Sequence, residues 1–237
     1  KRQGYTTSSG RIRRSISVWA ILSDMKTLIF DFDGTLADTQ QGIVQSVNAA
    51  LAHMGYPTAD SDAITPLIGL SLEHTFATLI GCEESQLPSD VAEIYRRLYD
   101  EISPETLRLF PGVGETLELL VQRGCVLGVA SSKGHEALDW QLARTGLARY
   151  FTTVVAAQDV TRFKPAPDMA LLVLRNTHGS PDEAMVIGDT EYDIAMGRAA
   201  GCRTCGMTYG NHSAERLLAA GADHVISSFD ALAEICL

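Results

Sequence analysis

Two acidic residues separated by a single residue, Asp31 and Asp33, follow an apolar stretch that runs from Thr27 to Phe30. Such a stretch is typical of a buried strand, and the side chains of a strand point alternately to its two faces. We therefore expect Asp31 and Asp33 on one side and Phe32 on the other. Two carboxylates held close together repel each other, and a hard divalent cation with oxygen ligands would offset their charge. An EF-hand loop starting at Asp31 is excluded, because its twelfth residue is Gly42 where that loop needs Glu.

Polar residues also follow three later stretches that are typical of strands. Ser131 ends the first of them and offers a hydroxyl as a hydrogen-bond donor. Lys164 begins a Lys-Pro-Ala-Pro sequence after the second, and lysine supplies a positive point charge that can pair with a carboxylate. Asp189 ends the third, and Asp193 follows four residues later, about one helical turn away. Two carboxylates can then project toward one point.

The elements that must position these residues alternate between helix and strand after Phe110. Apolar strands alternating with helices predict an α/β fold, with a Rossmann-like parallel sheet covered by helices on both faces. Ligands of such sheets bind at the carboxyl ends of the strands, where Asp31 is expected. The predicted strands are 126–130, 153–157, 185–187, 203–207 and 224–226, and the predicted helices are 113–122, 134–145, 168–176, 190–200, 214–220 and 230–235.

Residues 40–109 contain helical patterns and no stretch typical of a strand. We expect an α-helical cap inserted at this point, with the core formed by residues 25–39 and 110–237. The predicted cap helices are 40–54, 62–68, 72–80 and 89–102. Ser89 is the expected N-cap of the last one.

The string DFDGTLADT at residues 31–39 is more specific than its two acids alone. Gly34 within it suits a bend or a close approach of the backbone. The string resembles the first motif of the haloacid dehalogenase (HAD) superfamily of phosphohydrolases, and Ser131, Lys164 and Asp189 follow in the order of the other three motifs. The resemblance extends over residues 25–237. The helical insertion after the first motif resembles one subgroup, in which the chain is most similar to phosphoglycolate phosphatases and their relatives.

The resemblance implies a division of labour between the two acids. Asp31 would be the nucleophile that forms an aspartyl phosphate, and Asp33 the general acid that then serves as the base activating water. The implied cofactor is Mg²⁺, bound by the carboxylates of Asp31 and Asp189 and the backbone carbonyl of Asp33, with Asp193 supporting that shell. Lys164 would complete the catalytic set by stabilising phosphoryl oxygens. Ser131 and Ser132 would bind phosphoryl oxygens as well. Four further candidate substrate-binding residues come from the sequence itself: Gly69 and His74, in a cap segment where a Gly-Ser break precedes a helix, and Lys133 and Arg162, which could bind a substrate anion from the core side.

Several activities of the same superfamily stay open. Asp33 argues against a dehalogenase, which usually lacks the second acid. No lysine lies between Lys26 and Lys133, so a phosphonatase that uses a cap lysine has no candidate. A sugar-phosphate phosphatase or phosphomutase, a nucleotidase and a pyrophosphatase remain as alternatives. A non-catalytic HAD-like binding protein would normally have lost a catalytic carboxylate or Lys164.

Basic residues are scarce in the expected cap, where Arg96, Arg97 and Arg108 are the only ones besides histidines. We expect Arg96 and Arg97 to be solvated on an amphipathic helix rather than to face the substrate. This weakens any substrate whose second strong anion is bound by the cap, phosphoglycolate included.

Composition limits the classes of partner. The chain has 237 residues with 46% hydrophobic and 20% charged content, typical of a globular protein. No run approaches the ~18 apolar residues of a membrane span. The net charge of −10 gives no sign of nucleic-acid binding. The resemblance to the HAD superfamily implies a small phosphorylated metabolite as the partner. The oligomeric state stays open between monomer and homodimer.

The N-terminal segment and the cysteines bear on location. Residues 1–24 are basic and rich in Ser and Thr, and we expect a poorly ordered extension, with a transit peptide as the alternative. Five scattered cysteines do not suggest a disulfide framework. Cys202 and Cys205 have the spacing of a redox or zinc pair but no second pair to match. Reduced thiols and a cytoplasmic location are expected.

Overall fold

The computed structural model describes residues 26–236, and the expectation for residues 1–24 lies outside them. The strands are β1 (Thr27–Phe30), β2 (Ala37–Asp38), β3 (Arg108–Leu109), β4 (Val126–Ala130), β5 (Thr153–Val155), β6 (Ala184–Gly188), β7 (Arg203–Met207) and β8 (His224–Ile226). Six of them form a central parallel sheet in the order β5-β4-β1-β6-β7-β8, which confirms the predicted α/β class.

Ten α-helices are found among the described residues, and several short 3₁₀ turns join them. They are α1 (Gln40–His53), α2 (Ser61–Ile64), α3 (Leu72–Ile80), α4 (Val91–Thr106), α5 (Val113–Gln122), α6 (His135–Arg144), α7 (Asp168–Thr177), α8 (Glu191–Ala199), α9 (Ala214–Ala219) and α10 (Leu232–Cys236).

Strand β1 is the topological switch point of the sheet. The chain goes from β1 to β4 and β5 on one side, then crosses to β6, β7 and β8 on the other. Crossovers that leave in opposite directions open a crevice at the carboxyl ends of the strands, where ligands of such sheets bind. Asp31 lies directly after β1, and its backbone N–H continues the ladder to the carbonyl of Ile187 at 2.9 Å.

The core lies on both faces of the sheet, as alternation along β1 requires. Leu28 and Phe30 join one fully buried apolar cluster and Ile29 joins another. The first cluster includes residues of α5 and α6, and the second includes residues of α7 and α8. Phe32, one residue beyond Asp31, is fully buried in the same cluster as Phe30. The predicted separation of Phe32 from the acids is confirmed, since Asp31 and Asp33 both face a cavity.

Helices α1 to α4 pack around an apolar cluster of their own, the cap cluster. The helices α1 and α4 make the most extensive contact of the insertion. Phe76 of α3 is fully buried at its centre, against the edge of the Tyr95 ring. Ala137 of α6 packs against this cluster from the sheet side. The division into a core and a cap at 40–109 stays a prediction.

The insertion contains strand residues that the sequence patterns did not indicate. The expectation of no strand in 40–109 is wrong, because Arg108–Leu109 pairs antiparallel with Ala37–Asp38. Two residues per strand are too few for a period to be recognisable. This two-stranded ribbon joins the helical insertion to the sheet.

Two details of α4 also differ from expectation. The helix begins at Val91, so Asp90 and not Ser89 is its N-cap position. It continues past Ile102 and includes Pro104, where an early end was predicted. The reason is packing on one helical face, since Tyr95, Tyr99 and Ser103 recur every fourth residue and are all buried.

The structure describes all five cysteines without a disulfide, and Cys202, Cys205 and Cys236 are buried. Cys205 lies within β7, and Cys202 precedes that strand. Burial raises the pKa of the Cys205 thiol to about 12, which keeps it neutral.

Candidate active site

The four predicted motifs meet at the carboxyl edge of the sheet. Asp31, Ser131 and Asp189 each follow directly the last residue of β1, β4 and β6. Lys164 reaches the same place from the loop after β5, and Asp193 from the first turn of α8. All five side chains belong to buried residues, although four are ionisable. Buried charges need partners, so their mutual contacts determine what the site can do.

Lys164 lies between two carboxylates. Its Nζ donates to Oδ1 of Asp31 at 2.6 Å and to Oδ1 of Asp193 at 2.7 Å. Burial disfavours the charged form of Lys164, but Asp193 and Asp31 outweigh this and raise its pKa above the usual value. The lysine therefore stays charged and holds Asp31 in a fixed position.

Three carboxylates crowd one point of this edge. Asp31, Asp189 and Asp193 each offer an oxygen, and these oxygens lie within 4.8 Å of one another. Burial raises the pKa of Asp31 well above its usual value, and Asp193 and Asp189 raise it further. Burial, followed by Asp193, raises the pKa of Asp189 to about 7. One lysine cannot offset three acids, and a divalent cation with oxygen ligands fits this donor set.

Neighbouring groups fix the orientation of Asp189. Its Oδ1 accepts a hydrogen bond from Thr35 Oγ1 at 2.9 Å. Its Oδ2 accepts from the backbone N–H of Asn211 at 2.7 Å and from Nδ2 of the same residue at 2.8 Å. Such partners hold a ligating carboxylate in place.

Asp193 is oriented in the same manner. Its Oδ2 accepts from the Thr190 hydroxyl at 2.6 Å and from the Thr190 backbone N–H at 3.1 Å, which leaves Oδ1 to Lys164. No role was predicted for Thr35, Thr190 or Asn211. The two threonines stand inside the predicted motifs, whereas Asn211 lies in the loop after β7 and has no sequence signal.

Gly34 allows the turn after Asp33 to approach Asp189. Its φ is +80°, and a Cβ on this residue would lie 2.2 Å from Asp189 Oδ2 and 2.4 Å from Asn211 Nδ2. Only glycine fits, both for its backbone angle and for the lack of space. The expected close approach of the backbone at Gly34 is confirmed, and the group that it approaches is the carboxylate of Asp189.

Asp33 has partners separate from those of Asp31. Its Oδ1 accepts from Thr39 Oγ1 at 2.6 Å and lies 3.0 Å from Lys133 Nζ. Its carboxylate does not belong to the cluster of Asp31, Asp189 and Asp193. Only the backbone carbonyl of Asp33 therefore stays a predicted ligand of Mg²⁺. Lys133 was expected to bind a substrate anion, and here it forms an ion pair with Asp33.

Lys133 also joins the sheet to the helical insertion. Its Nζ donates to the Tyr99 hydroxyl of α4 at 2.7 Å and lies 4.2 Å from the centre of that ring. Gln141 Nε2 of α6 donates to the same hydroxyl at 2.8 Å. Tyr99 and Gln141 were not predicted, because this contact depends on how α4 and α6 pack.

The serines of the second motif differ in their contacts. Ser131 Oγ accepts the Lys133 backbone N–H at 3.2 Å and faces the cavity. Ser132 Oγ donates to the carbonyl of Gly69 at 2.7 Å. The structure thus brings together two predicted substrate-binding residues, Ser132 and Gly69, from the sheet and the insertion.

Two predicted substrate contacts lie away from the site. His74 is exposed, and its Nδ1 lies 3.1 Å from Glu84 Oε1. The Arg162 side chain is 70% exposed, and its Nε donates to Asp168 Oδ1 at 3.0 Å. Neither His74 nor Arg162 lines the cavity. The Gly-Ser break before its helix suggested His74, and its positive charge suggested Arg162, but both side chains contact acids outside the cavity.

A second set of contacts ties the insertion to the fourth motif. The carbonyl of Pro66 accepts from Tyr192 Oη at 3.0 Å and lies 3.3 Å from His212 Nε2. The backbone N–H of Glu191 donates to His212 Nδ1 at 3.1 Å, so the ring proton is on Nε2 and that atom donates to Pro66. Burial lowers the pKa of His212, which favours this neutral form.

A cavity of about 390 Å³ lies between the helical insertion and the carboxyl edge of the sheet. Asp31, Asp33 and Ser131 form its floor. Arg96 of α4 is exposed, as expected, but it also lines the cavity, which was not expected. Arg97 does not line it, as expected. The nucleophile candidate thus faces a space large enough for a small ligand.

Within residues 26–236, no helix is both long and apolar enough to cross a membrane.

Comparison with known proteins agrees with this geometry. A probable phosphatase, IndB, from Dickeya dadantii is 35% identical over 86% of this chain and 91% of its own. The pyrophosphatase PpaX from Bacillus pumilus is 32% identical over 90% and 97%. The crystal structure of a predicted phosphoglycolate phosphatase from Haemophilus somnus 129PT superposes with a TM-score of 0.79 at 25% identity, covering 91% of this chain and 100% of that one.

The family model for haloacid dehalogenase-like hydrolases matches residues 28–207, which include Asp31, Ser131, Lys164 and Asp189. The chain belongs to the haloacid dehalogenase-like hydrolase family.

Proposed function

We propose that this hydrolase is a Mg²⁺-dependent phosphatase of small phosphate monoesters, of the phosphoglycolate phosphatase type, acting through an aspartyl phosphate. One observation is central to the proposal. The buried carboxylate of Asp31 is held by Lys164 at 2.6 Å, lies beside Asp189 and Asp193, and faces a cavity. The names of similar proteins, a probable phosphatase, a pyrophosphatase and a phosphoglycolate phosphatase, support the same reaction class.

Asp31 is the proposed nucleophile. A carboxylate oxygen of Asp31 attacks phosphorus, the bond to the ester oxygen breaks, and the leaving alcohol takes a proton from Asp33. Water then attacks the phosphorus of the aspartyl phosphate and gives a proton to Asp33, which releases phosphate and the free carboxylate. Asp33 suits this exchange because it faces the cavity separately from the three clustered acids.

One cation and two hydrogen-bond donors would stabilise the negative charge of the phosphoryl group. Lys164 stays protonated between Asp31 and Asp193 and offers positive charge beside the nucleophile. The Ser131 hydroxyl and the Ser132 backbone N–H are the proposed donors to phosphoryl oxygens. Donors fixed by burial need little reorganisation during the reaction, which makes them effective.

Asp31, Asp189 and Asp193 would hold Mg²⁺, together with the backbone carbonyl of Asp33. When bound, the ion supplies positive charge that offsets both the acids and the phosphate. The chain's own contribution is orientation, since Thr35, Asn211 and Thr190 fix the carboxylates. The cap at 40–109 is proposed to exclude water from the core of residues 25–39 and 110–237. A cytoplasmic location is proposed because Cys202, Cys205 and Cys236 are buried thiols outside any disulfide.

An assay on p-nitrophenyl phosphate and a panel of phosphate esters, with and without Mg²⁺, tests the proposal. Asp31→Asn keeps the shape but cannot form the aspartyl phosphate, so turnover should fall at least about 1,000-fold. Asp62→Asn, the same change at an exposed position of α2, should leave turnover unaltered. Absence of Mg²⁺-dependent turnover on every ester, or an active Asp31→Asn, would contradict the proposal.

The covalent step has a separate readout. An acyl phosphate on Asp31 is reduced by borohydride to the alcohol, homoserine, which mass spectrometry locates in the chain. We expect the label at residue 31 in substrate-treated wild type and none in Asp31→Asn. A label elsewhere would contradict the assignment of the nucleophile.

The other activities are distinguished by the product. A phosphomutase returns an isomeric phosphate ester and little inorganic phosphate, and a pyrophosphatase or a nucleotidase prefers substrates with those leaving groups. Inorganic phosphate released in proportion to ester consumed supports a phosphatase. A non-catalytic binding protein would bind esters without turning them over, and the complete set of Asp31, Asp33, Lys164 and Asp189 argues against it.

A further inference from the structure

The cavity is larger than a two-carbon leaving group requires. Its volume is about 390 Å³, within the roughly 300–1,000 Å³ of pockets that enclose drug-sized ligands. One liquid water occupies about 30 Å³, so this space would hold on the order of a dozen waters. A glycolate-sized leaving group would leave most of it filled with water.

The walls above the acidic floor are mostly apolar. Ile43 of α1, Leu67 and Leu70 of the segment before α3, Leu72 of α3 and Phe163 beside Lys164 line the cavity. Each of these five residues is only half-buried, although burial is the usual state of large apolar side chains. They come from both sides of the cavity, the insertion and the sheet. An apolar ligand that covers this surface removes it from water, which favours binding.

The charges around the cavity disfavour a second anion. Glu73, Asp100 and Glu136 line it. Among the described residues, the basic side chains of the lining are Arg96 and Lys133, and Lys133 pairs with Asp33. Burial, followed by the charge of Glu136, raises the pKa of Asp100, so two of these acids lie close enough to interact. A carboxylate or second phosphate on the leaving group would meet net negative charge.

We infer that the natural substrate is a phosphate monoester of an apolar alcohol, larger than a few carbons and without a second negative charge. The inference rests on the proposed function, because it places the phosphate at Asp31 and the alcohol in the cavity. Apolar walls would bind the alcohol, and the acids would reject substrates such as phosphoglycolate.

A series of alkyl phosphates tests the contribution of the walls. We expect kcat/KM to rise from ethyl through butyl to hexyl phosphate, by up to about fourfold per methylene and at least about tenfold in total. Phosphoglycolate should fall below propyl phosphate, which has a similar size and lacks the carboxylate. A rate independent of chain length, or phosphoglycolate as the best substrate, would overturn the inference.

Variants locate the effect in the cavity. Leu70→Ser should flatten the dependence on chain length, whereas Leu171→Ser, the same change at a leucine 44% exposed on α7, should not. Glu73→Gln should raise kcat/KM for phosphoglycolate relative to propyl phosphate, and Glu101→Gln, at an exposed position of α4 outside the lining, should not. An equal response to the cavity change and to its control would overturn the inference.

Binding separates this inference from the proposed chemistry. Alkylphosphonates have a stable carbon–phosphorus bond, so calorimetry in Mg²⁺ measures cavity binding without turnover. Hexylphosphonate should bind at least about tenfold tighter than ethylphosphonate, and phosphonoacetate should bind more weakly than propylphosphonate. If the phosphonates follow this order and no ester is hydrolysed, the proposed function fails, and only the preference of the cavity for uncharged apolar groups is upheld. If esters are hydrolysed and the order is absent, the inference fails alone.

Discussion

Replacing Tyr99 by phenylalanine should destabilise the protein by about 2 kcal/mol, although the change removes only one oxygen. That oxygen accepts Gln141 Nε2 at 2.8 Å and Lys133 Nζ at 2.7 Å. Gln141 is fully buried, and its Oε1 has no hydrogen-bond partner among the described residues. Without the hydroxyl, the amide nitrogen of Gln141 would be unpaired as well.

The magnitude follows from these partners. A buried donor left without an acceptor costs about 1–3 kcal/mol. The lost hydrogen bond to Lys133 should add little to this cost, because Lys133 Nζ keeps its contacts with Asp33 at 3.0 Å and with the aromatic ring at 4.2 Å. For a domain of this size, a loss of about 2 kcal/mol lowers the melting temperature by about 4–8 °C.

A double-mutant cycle identifies the cause. Gln141→Leu removes the polar group itself, so Tyr99→Phe should cost about 1–2 kcal/mol less in that background than alone. Urea unfolding followed by circular dichroism gives each free energy, with coincident fluorescence transitions as the test of two-state behaviour. Tyr95→Phe is the control, because no hydrogen bond of its hydroxyl is found within residues 26–236, and it should change stability by less than about 0.5 kcal/mol.

The reasoning is refuted if Tyr99→Phe costs less than about 0.5 kcal/mol, or if the two changes are additive. Equal losses in Tyr99→Phe and Tyr95→Phe would show that ring packing, and not the hydroxyl, determines the result.

Three further predictions concern the site and the cap. Gly34→Ala should lower kcat/KM at least about 100-fold, since its Cβ would lie 2.2 Å from Asp189 Oδ2, whereas Gly55→Ala, with φ of +81° and open space around its Cβ, should affect stability alone; equal activities would contradict this. Mg²⁺ at about 100 times its Kd should stabilise the wild type by about 2.7 kcal/mol, and Asn211→Ala should weaken Mg²⁺ about 10–100-fold in calorimetric titration. Phe76→Ala should cost about 3–5 kcal/mol in urea unfolding because the ring is fully buried, and a loss below about 1 kcal/mol would show that the cap cluster does not contribute to global stability.

Sequence reasoning succeeded where a residue's environment is set by its own element. Asp31 and Asp189 follow apolar stretches that can only be buried strands, and the parallel arrangement of these strands brings the acids to one edge. Helix α3 and strand β7 have the predicted bounds, since Gly81 follows the first and Gly201 precedes the second.

Sequence reasoning failed where a contact depends on how separate elements pack. The Tyr99 hydroxyl reaches Lys133 only because α4 lies over the second motif, and no local pattern encodes that approach. Asn211 reaches Asp189 from a loop with no period. His74 was expected at the substrate because of its cap segment, and Arg162 because of its charge. Each instead contacts an acid outside the cavity, Glu84 and Asp168 respectively.

The ribbon of β2 and β3 has a consequence for how such a protein can diverge. The chain leaves the sheet after Asp38 and returns at Arg108, and these two residues are paired directly. A segment whose two ends are adjacent can be lengthened or replaced at little cost in loop closure. The helices proposed to surround the leaving group can therefore be replaced during evolution while the residues at the carboxyl edge of the sheet stay the same. Few contacts, such as Ser132 to Gly69 and Lys133 to Tyr99, would have to be rebuilt each time.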